Sequence, residues 1–121
     1  MFETPTKEEA LARPESLSTL GQKAHKAITN VLAKYASPDR GSLDDPGGCK
    51  TFYSPEEWQA RGEAYGLTSE LVVVYDGGGP RHFFEWEGRN ESLLEEMRLA
   101  LEAVGLYHEC CTCWYGAIYE L

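Results

Sequence analysis

No apolar run in this chain approaches the roughly 20 residues that a membrane-spanning helix needs. The opening stretch, MFETPTKEEALARPE, has acids where a secretory signal has an apolar core, so no export signal is expected there. Lysine stops at Lys50, and the later bases are Arg61, Arg81, Arg89 and Arg98. Residues 61–121 therefore hold eleven acids against four bases, a balance of −7, while residues 1–60 hold nine against seven, a balance of −2. So little positive charge opposes direct contact with nucleic acid or an anionic membrane. No segment repeats and none is of low complexity, which excludes solenoids and arrays. Widely spaced cysteines are also missing. Cys110, Cys111 and Cys113 lie within four residues and Cys49 is remote, unlike the framework of a secreted disulfide protein. These absences together predict a cytoplasmic protein without membrane attachment.

What is present suffices for a folded domain. The 121 residues are 42% hydrophobic and 12% aromatic, which argues against global disorder. A chain of this length buries about two thirds of its unfolded surface. Residues 1–15 read as an N-terminal arm, with a short turn boxed by Thr6 and Glu9 and ended by Pro14. Residues 16–121 read as a single domain.

Within that domain, Leu17, Leu20, Ala24, Ile28, Val31, Leu32 and Tyr35 recur at helical spacing and predict a helix over 16–36. Gly21 weakens its first turn by about 1 kcal/mol against alanine, and His25, off the stripe, reads as a surface residue. Residues 37–51, with two prolines, three glycines and three aspartates, form an irregular loop. Ser54, Pro55 and Glu57 spell the start of a second helix over 54–65, with Gly66 as its terminator. Asn90 opens a helix from Glu91 to Val104, with Leu93, Leu94, Met97, Leu101 and Val104 on its buried side and Gly105 after it.

The stretch Ser69–Glu87 reads as a β-hairpin. Leu71–Tyr75 and His82–Glu87 are rich in β-branched and aromatic residues, and Asp76–Pro80 between them is the connecting loop. The final run, Leu106–Leu121, reads as a strand or two half-strands bent near Gly116. The expected fold is a small α+β domain in the order ααββαβ. Its mainly antiparallel three-stranded sheet is made of the hairpin plus the C-terminal strand, with helices packed on it. Leu71, Val73, Met97, Leu101 and Ile118 should share one core. Both faces of the last strand are rich in apolar residues, so the second face calls for a cover, either the first helix or another molecule.

Several groups bear on chemistry. His108, Cys110 and Cys113, with distant Cys49, are the candidate metal or thiol set, since zinc takes nitrogen and sulfur ligands. Buried inert thiols are the competing reading, and no cofactor is assigned. The Asp76–Gly79 stretch lacks the helix and lysine of a phosphate loop. No spacing singles out a pair of carboxylates for general acid–base catalysis.

FYSPEEWQARGEAYG, SELVVVYDGG and CTCWYGAIY, in this order, resemble short uncharacterised proteins of bacterial phages, plasmids and other mobile elements. The resemblance covers about residues 52–121. It carries no catalytic residue and implies a setting, in which a small acidic protein binds or inhibits a host protein. The expected function is a non-enzymatic acidic protein-binding module with a basic protein partner. Its surface is built from Glu85, Glu87, Glu91, Glu95 and Glu96 beside His82, Phe84 and Trp86. The alternatives are a small metal- or thiol-dependent protein using the Cys110–Cys113 cluster, and a structural homo-oligomeric module.

Overall fold

The computed structural model describes residues 6–39, 41–76, 78–85 and 90–121. Two of its helices begin where their side chains say they must. Thr6 caps α1 (Lys7–Ala10) and Ser54 caps α3 (Pro55–Ala60); in each, the acid at the third helical position returns a hydrogen bond to the cap's own N–H. Pro55 occupies the first turn of α3, where a missing N–H costs nothing. α3 is shorter than the sequence predicts. It ends at Ala60 because Gly62, at φ +87°, takes the left-handed turn ahead of Gly66. The two long helices are α2 (Thr19–Ala33), capped by Ser18, and α4 (Glu91–Glu102), after which Gly105 turns the chain at φ +79°.

The sheet corrects the expected fold. Among the described residues it is four-stranded and antiparallel, in the order β1-β2-β4-β3, and the domain carries four α-helices. The strands are β1 (Phe52–Tyr53), β2 (Leu71–Val74), β3 (Leu106–Cys110) and β4 (Tyr115–Glu120). The chain hairpin is β3–β4, with its turn at 111–114 and not at Gly116. β2 pairs with β4, Leu71 opposite Ile118, and on its other side with β1, Phe52 opposite Val73.

Among the described residues the expected hairpin at Ser69–Glu87 does not form, and its glycines explain why. A Cβ on Gly78 would sit 2.6 Å from the Pro46 carbonyl oxygen, and one on Gly79 would sit 2.3 Å from that of Ser42. The two glycines thus press backbone to backbone on the 42–46 loop, where the Gly79 N–H donates to the Asp45 carbonyl at 2.7 Å. Pro80 then fixes its φ, and Gly79–Phe83 coil into a 3-10 turn. Within the 37–51 loop, Asp44 is buried and bonded to Lys7 at 2.5 Å, which ties α1 to the domain. The Thr51 N–H donates to the Ala10 carbonyl at 2.9 Å, a second tie between residues 6–15 and the domain.

Both faces of the sheet are covered. α2 and α4 lie side by side on one face, where Leu71, Val73, Met97, Leu101 and Ile118 join one core. α3 covers the other, with Trp58 wholly buried among Val72, Val74 and Tyr115. The second cover is therefore neither of the two expected: α2 lies beside α4, and six residues of α3 do the work through one indole. Removing a side chain of that kind costs about 3–5 kcal/mol. Gly21 has a reason as well. Its Cβ would stand 2.4 Å from the Glu70 carbonyl oxygen, so glycine lets α2 approach the start of β2. His25 is half-buried, its Nε2 2.8 Å from the Leu11 carbonyl and its ring edge-on to Phe52, so it fastens the segment after α1 to α2.

Candidate functional site

A groove of about 670 Å³ runs between α4 and β3. Its position follows from the sequence of α4. Leu93, Met97 and Leu101 are buried toward the sheet, so Leu94 and Arg98 are left along the side that faces β3. Phe83 and Phe84 close one end, and Tyr107 and His108 of β3 form the opposite wall. Glu91, Glu95 and Glu102 are exposed acids that line it, with Arg98 as the base among them. Arg98 bonds Glu95 and Glu102 together. The guanidinium holds the Glu95 carboxyl below its usual range. These four groups leave a local charge of −2. A volume of several hundred cubic ångströms with apolar walls and few polar groups has the dimensions of a ligand or side-chain recognition site.

The structure divides the surface expected from the sequence. Glu91 and Glu95 belong to the groove. Glu96 does not: it points to α2, accepting from the Tyr35 hydroxyl and from Lys34 Nζ at 2.9 Å, and the Tyr35 bond, then Lys34, lowers its carboxyl. Glu85 is paired with Arg81 at 3.5 Å and its side chain is largely covered. His82 is half-buried in the 3-10 turn. Phe84 is buried, stacked on Tyr75 at 5.6 Å and 4.7 Å from the His108 ring, so it forms the groove's end wall and is no exposed anchor. Trp86 and Glu87 lie outside the described residues.

The metal and thiol candidates are likewise separated. Cys49 sits on the α3 side of the sheet, in the cluster around Trp58, its thiol 3.5 Å from the Asp76 carbonyl. Burial, then Asp76, pushes that thiol up. Cys113 is exposed in the β3–β4 turn. Cys110 accepts from the Tyr75 hydroxyl at 3.5 Å and reaches the Thr112 carbonyl at 3.0 Å. Among the described residues no group of three or more His, Cys, Asp or Glu side chains converges as metal ligands would.

His108 was legible as a strand residue but not as the pivot it is. Its ring lies across Gly116 of β4, where a Cβ would come within 2.1 Å of Nε2. Nε2 is buried without a hydrogen-bond partner among the described residues. Burial pushes the imidazole down to about 4, so the ring is neutral near pH 7. Tyr75 is buried beside it, and burial followed by the Cys110 contact pushes its phenol up. The arrangement is an aromatic, uncharged wall beneath an acidic rim. The sequence signals for it are Gly116 and the two-residue step from His108 to Cys110.

No helix among the described residues is long and apolar enough to cross a membrane. Comparison of the chain with protein-family models, with curated proteins and with solved structures gives no match.

Proposed function

We propose that this protein is a non-enzymatic, acidic binding module that receives a basic protein partner in the groove between α4 and β3. The observation that carries the reading is the pairing of apolar walls with a rim of Glu91, Glu95 and Glu102 around one arginine. Apolar walls supply buried contact, and the rim selects the sign of the partner's charge and speeds its approach. The chain's balance of −9 adds a field of the same sign. A cytoplasmic location, and a host protein as the partner of a phage, plasmid or mobile-element protein, belong to this proposal. They rest on the composition and on the resemblance of residues 52–121.

The test begins with a partner captured from host lysate and then purified. Association rates are measured for the wild type, for Glu91→Lys/Glu95→Lys, and for Glu8→Lys/Glu15→Lys. The groove pair should slow association by about tenfold at low salt, and the remote pair far less. Raising ionic strength should erase the difference, since the screening length falls from about 10 Å at 0.1 M to about 3 Å at 1 M. Equal effects of the two pairs, or binding indifferent to salt, would sink the proposal.

A further inference from the structure

The hydrogen bonds that frame β3 decide which of its backbone groups are used. The Leu121 N–H donates to the Gly105 carbonyl at 2.9 Å, and the Cys111 N–H donates to the Tyr115 carbonyl at 3.2 Å. Both pairs belong to the register that sets Tyr107 opposite Tyr119 and Glu109 opposite Ala117. In an antiparallel ladder the bonded residues alternate, so Tyr107 and Glu109 turn their N–H and C=O toward β4. His108 and Cys110 turn theirs the other way. Among the described residues β3 is the last strand of the sheet, and no hydrogen bond from any of them reaches those outward groups. Glu109 and Cys110 are exposed and His108, its ring nitrogen buried, is only partly exposed, while Leu106 is fully buried, so the open edge among the described residues runs from His108 to Cys110. That edge borders the groove.

We infer that the partner binds as an extended basic segment that adds a fifth strand to the sheet along His108–Cys110. The inference rests on the binding reading above and specifies the partner's conformation and composition. Unpaired edge groups accept a strand through main-chain bonds, and pockets beside the edge select alternate side chains. Successive side chains of the added strand point to opposite faces. On one face they meet the groove and its rim, where Glu91, Glu95 and Glu102 outnumber Arg98; on the other they meet Glu109. Basic side chains are therefore favoured on both faces. A second copy of this chain is disfavoured as occupant because each copy carries −9.

The experiment uses the full chain and a defined probe, a pool of eight-residue peptides that mix Lys or Arg with Val, Ile, Thr or Tyr and carry bases at both odd and even positions, so that each face of the added strand presents one. A pool with Glu in place of the bases is the control. Members retained by the protein are identified and their affinity measured. Amide hydrogen exchange is then followed with and without the best peptide. The His108 and Cys110 amides should exchange freely alone and become protected in the complex. Cys110→Pro removes one outward N–H at an edge position where proline is tolerated, so it should keep the fold and weaken binding by at least about tenfold. Cys110→Ala keeps the backbone and should bind within about twofold of the wild type. If Cys110→Pro fails to fold, exchange in the wild type still decides.

Basic peptides that bind while those two amides stay unprotected would overturn strand addition and leave the basic-partner reading standing. Retention of no basic peptide above the acidic control would overturn both. Protection of the same amides in peptide-free protein, rising with protein concentration, would make a second copy the occupant and overturn the inference.

Discussion

His108 and Gly116 are one structural unit divided between two strands. The imidazole occupies the place that a side chain at 116 would need, and it can do so only because glycine has none. Gly116→Ala should therefore cost about 1–3 kcal/mol by overpacking. In a denaturant titration the double variant with His108→Ala should lose less than the sum of the single losses, with a coupling of about 1 kcal/mol. Additive losses would show that the two residues are independent. The same burial makes His108 a source of pH-dependent stability. Its pKa falls from 6.5 to about 4 on folding. The unfolded chain thus binds the proton first as pH drops, so the contribution is complete above pH 6.5 and is lost between there and pH 4. Between pH 7.5 and pH 4.5 the wild type should lose about 2–3 kcal/mol more than His108→Phe. Parallel pH profiles for the two proteins would count against a desolvated imidazole. His25, also lowered by burial first, remains in both proteins and cancels in the comparison.

At the scale of elements, the beginnings of α1 and α3 are local matters and their ends are less so. Ser54 is fully buried, accepts the Glu57 N–H at 3.1 Å, and its own N–H is taken by the Glu57 carboxylate at 3.0 Å. Ser54→Ala should lower the midpoint of thermal unfolding, with a loss of about 1–2 kcal/mol. An unchanged melting curve would mean that α3 is held by Trp58 alone. These caps were readable because donor and acceptor stand three residues apart. The end of α3 was misplaced by a few residues because either Gly62 or Gly66 could take the left-handed turn, and both do, at φ +87° and +84°. The second arm of the expected hairpin was misread for a different reason. Its aromatic residues favour a strand, but Gly78 and Gly79 meet a loop more than thirty residues earlier in the chain, and that contact overrides local preference.

In the whole molecule, α4 is the element on which most depends, since it packs on α2 and β3 and forms a wall of the groove. Met97, 1% exposed, faces the shared core. Met97→Asp should abolish cooperative unfolding, because an unpaired buried charge costs about 3–5 kcal/mol and the lost methionine packing about 2–5 kcal/mol more, a sum comparable with the roughly 5–15 kcal/mol that a domain has in total. Retained cooperative melting near the wild-type temperature would contradict the packing of α4 against the sheet. Leu99, 53% exposed on the far side of α4, gives the matched control: Leu99→Asp should melt within a few degrees of the wild type.

The sequence alone determined the caps, the apolar stripes of α2 and α4, the strand character of Leu71–Val74 and the surplus of acid, because each depends on residues a few positions apart or on a count. Only the tertiary structure decided which strands pair. β2 had two candidate partners of similar composition, and the chain gives it β1 and β4 because Leu71, Val73 and Ile118 must then share the face under α2 and α4. The same step decided that Trp58 covers the other face, that Glu96 turns to Lys34 while Glu95 turns to the groove, and that no described residue bonds the outward backbone groups of His108 and Cys110. Each of these follows from contacts between segments tens of residues apart, which form only when burial of one face fixes the register of the next.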